Sequence, residues 1–211
     1  MYLTLWSIME RIVYIKSYNS PEIDKGEILR YCKAEADCAT LSLIDDCIGE
    51  AEDKLSYKVC YAFSDVRVEG ECVDLGFCSV KSHSLARCLE GCYRLIVFAA
   101  TVGVGIDRLI SRYSITSPSR AVVFQALGSE RVEALCDAFC DEMKNNLSKS
   151  GDLLRPRFSP GYGDLSIEVQ RDIFAFLNPA AKIGITLNEN CFMLPQKSVT
   201  AIIGVKKNEN S

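Results

Sequence analysis

Apolar and polar positions change rhythm several times along the chain, and each rhythm predicts a different element. An apolar stretch over 10–18 predicts a strand, and Ser20-Pro21-Glu22 predicts a helix start, with proline at the first helical position. Between Glu27 and Lys54 the apolar positions Ile28, Leu29 and Cys32, then Leu41, Ile44 and Ile48, recur near helical spacing. They predict two helices with a break around Asp37 to Thr40. From Ser56 the period falls to two: Tyr57, Val59, Tyr61 and Phe63 alternate with polar or small residues, and Val66, Val68 and Cys72 continue past Ser64-Asp65. An antiparallel pair is expected there. Ser82 or Ser84 is placed to cap a helix that begins near His83.

Arg94 to Ala100 is a short continuous apolar run and predicts a buried central strand. Gly103-Val104-Gly105 then turns the chain into a helix through Ile106, Leu109 and Ile110. A strand, glycines and a helix in that order invite a dinucleotide-fold interpretation, but Arg108 stands where the third glycine of G-x-G-x-x-G belongs, which favours a connector. Ser117-Pro118 predicts another helix start, with a stop at Gly128. The clearest helical stripe follows over Ser129 to Leu147: Val132, Leu135, Cys136, Phe139, Cys140, Met143 and Leu147 share one face. Asp137 lies about 100° past Cys136, at the edge of that stripe, where a carboxylate can reach a cleft wall or simply face water.

After a polar connector over 145–152 comes Leu154-Arg-Pro-Arg-Phe-Ser-Pro-Gly-Tyr-Gly-Asp164. Two prolines stiffen this loop, and two glycines allow positive φ and close approach. Ser159-Pro160-Gly161-Tyr162 fits a type II turn, with proline second and glycine third. Such a turn holds Arg157, a planar fork of donors suited to a carboxylate, near the rings of Phe158 and Tyr162. A zwitterionic nucleoside suits the combination better than a bare phosphate, although loops of this composition also serve as plain connectors. Asp164 or Ser166 is expected to cap a following helix whose stripe runs through Leu165, Val169, Ile173, Phe176 and Leu177. Two more strands are expected, at Lys182 to Leu187 and Ser198 to Val205, before a polar tail from Lys206 to Ser211.

Composition narrows the function. With 211 residues, 48% hydrophobic and 25% charged, the chain has the balance of an ordinary globular protein, expected to be one domain over 1–211. A net charge of −4, with scattered lysines and arginines, argues against nucleic acid as a partner. The longest apolar run, Leu95 to Val104, is half the roughly 20 residues of a membrane span. The apolar Met1 to Ile8 lacks the features of a signal peptide and reads as a start-site extension if Met9 is the true start. Eleven cysteines without a C-x-x-C pair, and with His83 as the only histidine, fit reduced cytosolic thiols better than a metal site. His83 itself fits a surface position better than a catalytic base.

Three ordered motifs add a resemblance. Arg157-Phe-Ser-Pro-Gly161-Tyr162 matches R-x-x-P-G-Y, Leu187 to Pro195 is similar to T-E-S-x-x-M-x-P, and Lys197-Ser-Val-Thr200 is similar to A-S-V-S. Together they resemble the S-adenosylmethionine-binding activation domain of cobalamin-dependent methionine synthase, in particular its short free-standing versions. The resemblance implies an α+β fold with a mixed, mainly antiparallel sheet flanked by helices. It also implies S-adenosylmethionine as ligand and a role in reductive reactivation of cob(II)alamin. The partners it implies are a cobalamin-dependent methionine synthase or other corrinoid protein and a flavodoxin- or ferredoxin-like reductant. Carried over by position, Arg157, Ser159, Gly161, Tyr162 and Asp137 would line the ligand site, Asp137 standing where the family has a helix glutamate. No residue is implied to be catalytic. The family's further aromatic-bearing region beyond S-V-S has no counterpart before Ser211, and no D-x-H-x-x-G is present, so cobalamin would arrive on another polypeptide. Two other classes remain open from the residues alone: a free-standing methyltransferase acting on a small molecule, and a cysteine-based redox or metal protein.

Overall fold

Every second residue of the central strand faces one core and every residue between faces another, which is why the run over 94–101 reads as continuously apolar. In the computed structural model, which describes residues 12–208, Ile96, Phe98 and Ala100 belong to one buried cluster and Leu95, Val97 and Ala99 to the other. An antiparallel sheet with both faces covered loses the usual polar alternation.

In chain order the elements are β1 (Tyr14–Tyr18), α1 (Lys25–Cys32), α2 (Cys38–Ala51), β2 (Tyr57–Asp65), β3 (Arg67–Glu69), β4 (Cys72–Asp74), β5 (Ser79–Lys81), α3 (His83–Cys88) and β6 (Arg94–Thr101). They continue with α4 (Gly105–Thr116), α5 (Pro118–Ser148), β7 (Asp152–Leu154), α6 (Val169–Leu177), α7 (Pro179–Ile183), β8 (Thr186–Leu187), β9 (Met193–Leu194) and β10 (Ser198–Lys207). The main sheet runs β1-β2-β6-β10-β7, antiparallel throughout; β3-β4-β5 and β8-β9 form two small sheets. This is the α+β class expected. One face of the main sheet packs on α1, α2, α4 and α5 around Phe98, Phe124 and Phe139, and the other packs on α3, α6 and α7 around Leu85, Ile173 and Leu177. Each such side chain contributes about 1.5–3 kcal/mol through burial.

Several boundaries differ from expectation, each for a local reason. The helix expected at Pro21 begins at Lys25, where the Asp24 side chain accepts from the Glu27 amide. The carbonyls of Pro21 and Glu22 are engaged instead by the fully buried Arg131, at 2.6 Å each, and Arg131 is also paired with Glu130. Gly128 does not stop a helix. α5 runs 31 residues through it, and the glycine is there for a different reason: a side chain would meet Lys197 Cγ at 2.8 Å and Ile106 Cγ1 at 3.0 Å. Absence of a Cβ serves close packing at this point and ends nothing. The strand expected from Lys182 starts later: Lys182 and Ile183 end the helix α7, begun by Pro179, Gly184 closes it at φ 76°, and only Thr186–Leu187 is strand. Lys206 and Lys207 belong to β10, so the tail is shorter than expected. The start-site extension over 1–8, the strand start at Glu10 and the last three residues lie outside the described residues. Among the described residues no helix is long and apolar enough to cross a membrane.

Candidate functional site

The loop after β7 is stitched to the outer edge of β10. Arg155 donates its amide to the Gly204 carbonyl at 2.9 Å, and Phe158 and Ile202 exchange amide-to-carbonyl bonds at 2.8 Å each. Beyond Phe158 the chain leaves the strand and turns: the Tyr162 amide donates to the Ser159 carbonyl at 3.2 Å, with Gly161 at φ 89°. Those are the marks of the type II turn expected from Pro160-Gly161.

What anchors the turn differs from expectation. Asp164 caps α3 and not the helix that follows it in sequence. Its carboxylate accepts from Ser82 Oγ at 2.6 Å and from the amides of His83 at 2.7 Å and Ser84 at 3.1 Å. The Ser82 hydroxyl in particular, with the two amides, holds this carboxyl well below the usual aspartate range. Gly163 presses so closely on α3 that a Cβ would stand 2.7 Å from Ser84 Oγ. Ser166 makes the short turn before α6, its hydroxyl accepting from the Glu168 amide. His83 is exposed at the surface, as expected.

Arg157 leaves the loop toward α5. Its Nη1 donates to Asp137 Oδ1 and its Nη2 to Glu133 Oε2, each at 2.5 Å. A guanidinium carries five N–H donors and stays charged in proteins, so these two bonds leave donors for a further acceptor. Beside this triangle opens a cleft of about 340 Å³. Arg157, Ser159 and Tyr162 line it, with Phe158 and Pro160 between them. The second motif supplies Met193 to its wall, and the third supplies Ser198, Val199 and Thr200. Three motifs separated by up to 43 residues, from Arg157 to Thr200, therefore meet at one cavity.

A family model for the vitamin B12 dependent methionine synthase activation domain matches residues 91–210, which contain all three motifs. The chain belongs to this family. Its fold is similar to that of the crystal structure of the MetH reactivation domain bound to AdoHcy, with a TM-score of 0.66 and 14% identity over 96% of this chain and 80% of the other. No curated protein matches.

Within this activation-domain fold the expected site residues take different positions. Arg157, Ser159 and Tyr162 face the cleft; Gly161 shapes the turn behind them; Asp137 stands behind Arg157 as its ion-pair partner and not on the lining. Glu133 was not among the expected residues and is on the lining. It precedes Asp137 by one helical turn on the same helix face, and that i, i+4 spacing was the available signal. Gln170, on α6, also lines the cleft, and nothing in its local sequence marks it.

The cysteines are dispersed. Burial pushes the Cys47 and Cys60 thiols up to about 11 and Cys78 to about 12, and it raises Cys136 beside the site further. Protonated thiols are poor nucleophiles and poor ligands at neutral pH. Among the described residues no group of three or more histidine, cysteine or acidic side chains is arranged to hold a metal ion.

Proposed function

We propose that this chain binds S-adenosylmethionine in the cleft beside Arg157 and supports reductive methylation of cob(II)alamin carried by a separate corrinoid protein. That protein is a cobalamin-dependent methionine synthase or a relative of it. The observation that carries the proposal is the convergence of a cationic fork, the Glu133 carboxylate and a glycine-opened turn on one cavity, with Asp137 paired to the fork from behind. The remaining donors of Arg157 suit the carboxylate of the methionine moiety, and Glu133 suits its ammonium. Phe158 and Tyr162 offer ring faces to the sulfonium or the base. Tyr162 is 67% exposed, which places that ring at the mouth, where a methyl donor would have to meet a corrinoid.

The chemistry asks little of this chain beyond alignment. One electron from a flavodoxin- or ferredoxin-like reductant and one methyl group from S-adenosylmethionine restore the partner's cobalamin. A ligand fixed in a near-attack position lowers the barrier mainly by removing orientational freedom. No general base is required, and no side chain is nominated as one.

The test combines the protein with a corrinoid methionine synthase in its cob(II) state, reduced flavodoxin and S-adenosylmethionine, and follows the cobalamin absorbance. The expected result is methylcobalamin that forms only when this chain is present. Methylation of a small molecule with no corrinoid protein in the mixture would replace the proposal with that of a free-standing methyltransferase.

A further inference from the structure

Two buried polar atoms at the cleft have nothing to bond. Gln170 is 5% exposed and Thr200 2% exposed, and neither Gln170 Oε1 nor Thr200 Oγ1 has a hydrogen-bond partner among the described residues. Both residues line the cleft. Buried polar atoms are almost always paired, so two orphans on one cavity mark a place where polar atoms of a ligand belong.

Their position follows from the pleat. Along β10, Ala201, Ile203 and Val205 point into the cluster that holds α5, and Ile202 points into the cluster that holds α6. Alternation therefore sends the side chains of Ser198 and Thr200 to the α6 side, with Gln170, and Val199 to the α5 side, with Glu133. The cleft straddles the edge of the strand. Its α5 flank is charged through Glu133 and Arg157; its α6 flank is neutral, offering an amide, hydroxyls and the Met193 side chain. Between the flanks, the peptide of Thr200 faces the same edge as that of Ile202, where Phe158 is the last residue of the loop to pair.

Resting on the proposed function, we infer that Gln170 and Thr200 are specificity-determining residues that bind the adenosine half of the ligand, while Arg157 and Glu133 take its amino-acid half. An unpaired acceptor needs a donor, and adenosine supplies a 6-amino group and two ribose hydroxyls. A neutral flank accepts such groups without the repulsion or desolvation that a charged flank would impose.

The test is calorimetric titration of wild-type protein and of Q170M, T200V, T200S and R157M with two ligands. One is S-adenosylhomocysteine; the other is 5′-methylthioadenosine, the nucleoside without the amino acid. Loss of one hydrogen bond is expected to weaken both ligands roughly tenfold in Q170M and in T200V, with T200S close to wild type. R157M is expected to weaken S-adenosylhomocysteine and leave methylthioadenosine unchanged. The ligand-free melting temperatures of Q170M and T200V should stay level or rise, because each change removes an unpaired buried polar atom. Unchanged S-adenosylhomocysteine affinity in both variants overturns this inference and leaves the proposed function standing. So does a loss of affinity accompanied by a fall in melting temperature, which would make the residues structural. Methylthioadenosine that fails to bind wild-type protein at millimolar concentration, or that R157M weakens as much as the longer ligand, also overturns the division. Wild-type protein that binds neither S-adenosylhomocysteine nor S-adenosylmethionine overturns the proposed function and this inference together.

Discussion

Replacing Arg157 with methionine separates a structural role from a binding role, because the two predict losses of different size. The side chains of Arg157, Glu133 and Asp137 are 27%, 42% and 68% exposed, so their ion pairs are screened and each contributes about 0.2–1 kcal/mol to the ligand-free fold. Methionine keeps the apolar stem packed, and the expected stability loss is about 1 kcal/mol, a fall of roughly 2–4 °C for a domain of this size. Binding should suffer far more. Hydrogen bonds from a guanidinium to a carboxylate contribute about 1.5–3 kcal/mol, which corresponds to roughly 10- to 150-fold in dissociation constant. Thermal melts and calorimetry on the same preparation measure both quantities. An affinity within about twofold of wild type, or a fall in melting temperature well beyond 4 °C, would refute the assignment of Arg157 to the ligand.

Three further outcomes follow from contacts elsewhere. Gly105→Ala would set a Cβ 2.0 Å from the Lys54 carbonyl oxygen, so it should cost about 3 kcal/mol and lower the melting temperature by roughly 6–12 °C; a neutral result in circular dichroism would show that α4 does not press on that carbonyl. Alkylation at pH 7.5, mapped by mass spectrometry, should label the exposed Cys38 and Cys72 before the buried Cys47 and Cys60, and early labelling of the buried pair would contradict the packing. Because Asp164 titrates below the ordinary aspartate value when folded, its contribution is complete above that value, about 3.9, and is lost as pH falls below it. Asp164→Asn should therefore flatten the decline of melting temperature with acid below about pH 4; identical curves would remove the cap on α3 from the account.

Much of the fold was legible because local rules and tertiary packing agree. The run over 94–101 is the central strand, Pro118 starts α5 and Pro160-Gly161 makes the turn it should. Legibility failed where a distant group overrode a local signal. The Pro21 carbonyl is bound by Arg131, 110 residues away, and Gly128 is a glycine to admit Lys197 and Ile106, neither of which is visible from neighbours along the chain. Asp164 looked like the cap of the next helix because sequence shows only neighbours along the chain, whereas its partners lie 80–82 residues back. The site divides along the same line. Arg157, Ser159 and Tyr162 are visible as a motif, and Asp137 as the edge of a stripe. Glu133 emerges once Arg157 is seen to lie across α5, and Gln170 and Thr200 emerge only when burial reveals that they lack partners.

The family membership and the fold leave one claim to be measured directly: that the cavity beside Arg157 holds a sulfonium nucleoside. A crystal structure of the protein grown with S-adenosylhomocysteine addresses it. The account predicts the ligand carboxylate on the Arg157 guanidinium, its ammonium near Glu133 and its adenosine against Gln170 and Thr200 along the edge of β10. Ligand density at another surface, or an unchanged cleft at saturating concentration, would contradict it.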